Sequence, residues 1–130
     1  FRGSVAEQHV PYIFPQENGN KCDVKWATLT DDHGAGLLVV GQPTINVTAS
    51  LYATEDLAKA RYTYELTERD EVCLYLDHRH CGIGSASCGP NPPLMQHRLI
   101  PEEMTFQVRL RPIISANAES LAAQNLPPMD

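Results

Sequence analysis

Basic residues are scarce in this chain of 130 residues: 10 lysines and arginines stand against 16 acidic residues, a formal net charge of −6. No basic stripe is available to neutralise a phosphate backbone, which argues against a duplex nucleic-acid partner. Long apolar runs are missing too. None approaches the roughly 20 residues that a membrane-spanning helix needs, and no secretory leader is visible at the start. The first residue is Phe1 rather than methionine, so a processed chain or an excised piece is expected. Cysteine is sparse: Cys22, Cys73, Cys81 and Cys88 are too few for a disulfide-dense scaffold. Their spacing matches no zinc pattern, and four reduced thiols are the expectation in a cytosolic setting. There is one tryptophan, Trp26.

The standard catalytic signatures are also absent. Neither Ser85 nor Ser87 is flanked by glycines in a nucleophile-elbow pattern. Gly89 is followed by Pro90, Asn91 and Pro92, so no phosphate loop forms there. His78 and His80 beside Cys81 resemble ligands, but on an alternating strand the two histidines share one face and Cys81 takes the other. No metal site is expected. The acidic pairs Asp31-Asp32 and Glu102-Glu103 read as solvated turns rather than as a glycosidase pair. Asn46-Val47-Thr48 matches a glycosylation sequon but falls within an expected strand, where chance is the better reading.

Several segments do carry a clear pattern. Residues 23–29 alternate, with Val24, Trp26 and Thr28 on one side and Trp26 expected in the core. Residues 30–34 form a turn, 36–41 a buried strand bounded by glycines, and 45–51 a further alternating strand. Thr54 is placed to cap a short helix with Glu55 and Asp56 in its first turn and Leu57 and Ala60 as its apolar stripe. Residues 72–77 and 105–111 are strands; in the latter Phe106, Val108 and Leu110 are expected to face inward and Gln107, Arg109 and Arg111 outward. In the alanine-rich tail a short helix over 118–124 is left open. The sum is an all-β, antiparallel sandwich with one short helix. Residues 1–114 form its domain, and 115–130 its tail.

The run 82–93, GIGSASCGPNPP, is the least regular part of the chain. It holds three glycines and three prolines around Cys88, a mixture that no helix or strand interior tolerates. His78, His80 and His97 are candidate bases for that thiol, but nothing in the sequence sets one beside it. A packed thiol in a shaped loop is the better reading.

From residue 8 to 112 the chain carries a collinear series: Val10-Pro11-Tyr12, Pro15-Gln16-Glu17-Asn18-Gly19-Asn20, Asp23-Val24-Lys25-Trp26 and Leu29-Thr30-Asp31. Gly36-Leu37, Gly41, Ser50-Leu51-Tyr52, Glu55-Asp56-Leu57, Ala60 and Thr63-Tyr64-Glu65-Leu66 continue it. It closes with Leu76-Asp77, Gly82-Ile83-Gly84, Ser87, Gly89-Pro90 and Arg98-Leu99. This series resembles the C-terminal domain, found in some members on a small chain, of β-galactosidases of glycoside hydrolase family 2. The resemblance implies the second part of a galactose-mutarotase-like supersandwich. It implies an accessory role in hydrolysing terminal β-D-galactosides, with the catalytic glutamates on a barrel outside this chain and none within it. The loop 82–93 would complete the sugar pocket, with Gly84, Ser87 and Cys88 as substrate-binding residues. Where many members carry a tryptophan after the serine, this chain has Cys88.

The resemblance implies no cofactor in this chain, and magnesium and sodium in the intact enzyme. Its implied partners are the remainder of the enzyme or its large subunit, a galactoside and a homo-oligomeric copy. The expected setting is the bacterial cytoplasm, with secretion left open. The alternative function is a free-standing carbohydrate-binding or assembly module. Such modules present exposed aromatic platforms, and placing Trp26 in the core favours the accessory domain.

Overall fold

A computed structural model describes residues 1–81, 90–114 and 118–124. Among the described residues four strands form one sheet: β1 (Lys21–Thr30), β2 (Gly36–Ser50), β3 (Cys73–Asp77) and β4 (Gln107–Ile113). The strand order is β1-β2-β3, and β4 pairs with β2 as well. Two short helices, α1 (Thr54–Lys59) and α2 (Ala118–Ala122), accompany three single 3-10 turns. The all-β class follows, and the tail supplies a second short helix.

The two strands expected over 36–41 and 45–51 are one continuous strand, β2. Pro43 does not break it. The ladder with β4 runs from Gly36↔Ile113 to Gln42↔Gln107, so the proline lies just past the last residue paired with β4 and its missing N–H costs no bond in that ladder. Two glycines let the chain approach itself closely. A Cβ on Gly36 would overlap the carbonyl oxygen of Leu29, and one on Gly41 would lie 2.7 Å from the backbone of Thr44 and Ile45.

The chain forms two compact units. The first joins Phe1–Cys22 to Val47–Leu76. Its core contains Val47, Ala53, Leu57 and Ala60, so the expected apolar stripe of α1 is indeed the buried one. Thr54 does not cap α1; Ala53 holds that position, and its N–H donates to the Asp56 carboxylate at 3.4 Å. The Thr54 hydroxyl instead donates to Glu17 at 2.9 Å and bonds the Tyr75 hydroxyl at 3.0 Å.

The second unit joins Asp23–Asn46 to Asp77–Asp130. Leu38, Val39, Ile45 and Ile113 form its core. Trp26 is 39 % exposed, contrary to the expectation of a core residue. β1 is an edge strand, so a side chain on it has a neighbouring strand on one side only.

The inward and outward sets on β4 also need correction. Directly opposed residues share a face. Leu110 therefore projects with Val39, while Arg109 and Arg111 project with Val40 and Leu38. Leu110 is 56 % exposed, while Arg109 and Arg111 are half-buried like Val108. For the arginines the cause is α2. Arg109 donates to the carbonyls of Gln124 at 2.7 Å, Leu121 at 3.0 Å and Ala122 at 3.1 Å, and Arg111 donates to the Gln124 side chain at 2.8 Å. A guanidinium fork thus satisfies carbonyls that the end of a helix leaves open.

Replacing Arg109 with leucine should unseat α2 and cost about 1–3 kcal/mol, the range for losing hydrogen bonds from a charged donor. Arg109→Lys should recover only part of this, because an ammonium cannot reproduce the fork. Urea midpoints measure both; a midpoint unchanged in Arg109→Leu would show that the helix is not held this way.

Candidate functional site

Gly84, Ser87 and Cys88, the residues expected to touch substrate, lie outside the described residues. The stems that lead into and out of their loop are described, and side-chain bonds brace both. On the incoming side β3 ends at Asp77, whose carboxylate meets His80 Nε2 at 3.1 Å. The other ring nitrogen of His80 faces the Asn46 amide nitrogen at 3.5 Å. Asn46 is buried, and its Oδ1 accepts the backbone N–H of Asp23 at 3.3 Å. Asp23 itself sits at φ 56°, a left-handed conformation that asparagine and aspartate tolerate better than most residues.

With Nε2–H donated to Asp77, the free Nδ1 lone pair of His80 can accept from Asn46, so one tautomer satisfies both bonds. Arg79 pairs with Glu102 at 2.8 Å, and on the outgoing side the Arg98 guanidinium donates to the Pro93 carbonyl at 2.6 Å.

Several of the candidate chemical groups have identified partners. His80 is engaged by Asp77 and Asn46, and His78 packs its ring on Phe106 at 5.4 Å between centroids. His97 lies beside Gln96. The alternating strand expected to carry both histidines ends at Asp77, so His78 and His80 lie beyond it and share no strand face; their rings have different partners. Asp31 closes the β1–β2 turn by accepting from His33 and Ala35, each at 2.9 Å, and Glu102 belongs to Arg79. The sequon asparagine, Asn46, is buried and hydrogen-bonded, so it is not presented for glycosylation in this fold. Cys22, Cys73 and Cys81 are free thiols, and Cys88 lies outside the described residues. Among the described residues no three His, Cys, Asp or Glu side chains gather as a metal site.

The first unit contains an open cleft of about 470 Å³, lined by Asp56, Lys59, Glu65, Thr67, Glu68 and Arg69 among others. Its carboxylates are likewise engaged. Asp56 accepts from Arg69 at 2.7 Å, and that hydrogen bond holds its carboxyl below the ordinary value. Glu65 accepts the amides of Arg61 and Tyr62, at 2.7 and 3.3 Å. Glu68 accepts the Tyr52 hydroxyl at 3.3 Å; burial first and this carboxylate second push the phenol up. Each of the three carboxylates lining the cleft thus has a hydrogen-bond partner within the first unit.

A family model of the beta galactosidase small chain matches residues 1–110. The chain belongs to that family. Similar proteins include the Beta-galactosidase of Priestia megaterium, 37 % identical over 111 residues, which are 82 % of this chain and 11 % of the relative. The Beta-galactosidase of Vibrio vulnificus strain YJ016 is 29 % identical over 109 residues, 84 % of this chain and 10 % of the relative. That of Arthrobacter sp. strain B7 is 32 % identical over 114 residues, again 84 % of this chain and 11 % of the relative. The chain thus spans about a tenth of the length of these relatives. No described helix is long and apolar enough to cross a membrane.

For this member of the small-chain family, sequence reasoning did not find Asn46 and Asp77 as partners of His80. The sequon drew attention to Asn46 for the wrong reason. A more useful signal was an asparagine placed in an apolar strand, which has to find a hydrogen-bond partner.

Removing Arg69 as Arg69→Ala should raise the Asp56 titration towards the ordinary value of 3.8. In the wild type the folded carboxyl is held below its unfolded value. Its pairing therefore stabilises the fold above that value, and the contribution fades as pH falls through the folded one. Carboxyl chemical shifts followed across an acid titration measure this; an unmoved Asp56 midpoint in Arg69→Ala would show that the bond does not form in solution.

Proposed function

We propose that the chain is an accessory β-domain of a glycoside hydrolase family 2 β-galactosidase, working in the cytoplasm of a bacterium. The observation that carries the reading is the combination of a small-chain match over 110 residues with relatives about ten times longer. Hydrolysis of a galactoside needs two carboxyl groups flanking the scissile bond, one to protonate the leaving oxygen and one to act on the sugar carbon or on water. Asp31, Asp56, Glu65, Glu68 and Glu102 are each tied to a turn, an amide, a phenol or an arginine. On this reading the catalytic pair belongs to the rest of the enzyme, as does the site for magnesium and sodium.

This chain's contribution is the loop 82–93 as one wall of the galactoside pocket, with Gly84, Ser87 and Cys88 towards the sugar. The braced stems support that role, because a wall is useful to a binding site when its two ends are fixed. A thiol at Cys88 gives less apolar area for stacking than an indole would.

Two observations favour a second reading, a carbohydrate-binding module that acts alone, and the first is that Trp26 is 39 % exposed rather than in the core. The second is that Tyr62 and Tyr64 stack in parallel with centroids 5.3 Å apart, and they are 52 % and 79 % exposed. Exposed aromatic rings suit the apolar face of a pyranose. Saturation-transfer NMR of the chain alone with a β-galactoside separates the readings: a signal lost in Tyr64→Ala would favour the module.

On the accessory-domain reading, the isolated chain does not hydrolyse galactosides, and mixing it with the remainder of its enzyme restores turnover. Turnover by the chain alone, abolished by changing one of its own acidic residues, would sink the proposal. In the full enzyme Cys88→Ser should leave turnover within about tenfold, a change of roughly 1.4 kcal/mol. Cys88→Trp should alter KM or acceptor preference with kcat largely kept, since it adds stacking area without touching acid or nucleophile. A thousandfold fall of kcat in a folded Cys88→Ser enzyme would instead make the thiol a chemical participant.

A further inference from the structure

Residues 10–14 form the most concentrated exposed apolar stretch in the first unit. Ile13 is 90 % exposed, Phe14 66 %, and Val10 and Tyr12 44 % each. Scattered surface apolar residues need no explanation, but a contiguous run does. This run is held in shape by its polar neighbours. The Asn18 side chain accepts the Val10 N–H at 2.8 Å and donates to the Gln16 carbonyl at 3.0 Å. The Tyr12 N–H bonds the Val10 carbonyl at 2.8 Å across a tight turn. Glu17 accepts the Thr54 hydroxyl at 2.9 Å, tying the following segment to the start of α1. Pro11 and Pro15 fix φ within the run and at its end, and Pro15 is buried. Polar groups thus brace the backbone from behind while the apolar side chains point outward. That is the construction of a preorganised contact ridge, in which little ordering entropy remains to be lost on binding.

We propose that residues 10–14 are a docking ridge for the remaining part of the β-galactosidase, with Ile13 and Phe14 as its anchors. The proposal rests on the accessory-domain reading above. Two observations select this occupant. The ridge lies inside the segment matched by the small-chain family, in a chain that spans about a tenth of its relatives, so most of such an enzyme is available to cover it. A second copy of this chain is disfavoured because each copy carries a formal charge of −6.

The test mixes the separately purified chain with the remainder of the β-galactosidase from the same source and measures association and recovered turnover. The double variant Ile13→Asp/Phe14→Asp should bind more than about tenfold more weakly, as expected when anchor residues are lost. Its own urea midpoint should be nearly unchanged, since both side chains are exposed. Asn18→Ala, which keeps every ridge side chain but loosens the backbone, should weaken association by a smaller factor. Hydroxyl-radical labelling should modify Tyr12 and Phe14 in the chain alone and spare them in the assembled enzyme. Wild-type association with an unimpaired double variant, or labelling that persists in the assembly, overturns the ridge and leaves the accessory domain standing. A dimer of the chain that the double variant dissolves overturns it in favour of a second copy. No association by the wild type overturns both proposals together.

Discussion

β2 is the constraint on which the rest of the sheet depends. It is the strand to which β1, β3 and β4 all pair, so an error in its course would misplace every other strand. Its 15 residues stay continuous because Leu38, Val39 and Ile45 are buried, because Gly36 and Gly41 leave room for neighbouring backbone, and because Pro43 falls just beyond the β4 ladder. Successive residues Leu38 and Val39 project to opposite faces, and each is almost fully buried. The strand therefore has to be covered on both sides there, and α2 contributes to one of them through Arg109 and Arg111.

Polar side chains do much of the positioning. Asn46 links Asp23 to His80, Arg109 seats the tail helix, Asn18 and Glu17 hold the apolar ridge, and Asp31 closes the hairpin turn. Each is a side chain meeting backbone groups or another polar side chain at a place where the chain leaves regular structure, which is where backbone donors and acceptors lack ladder partners. These carboxylates and histidines hold turns, stems and helix ends in place.

The sequence by itself determined the all-β class, the hairpin turn at Asp31–Gly34, the place and buried stripe of α1, and the presence of a strand at β4. Each of these follows from local rules of period, turn chemistry and end effects. It also marked 82–93 as irregular, through its glycines and prolines. Tertiary structure alone decided how far each side of an alternating strand is covered. Alternation makes Leu110 and Arg109 point opposite ways, but the half-burial of Arg109 was set by a helix beginning at Ala118, and the exposure of Trp26 by the edge position of β1. The brace formed by Asp77, His80 and Asn46 was illegible for the same reason. Hydrogen bonds between residues far apart in the chain depend on register and strand order, and no local pattern of residue types encodes either.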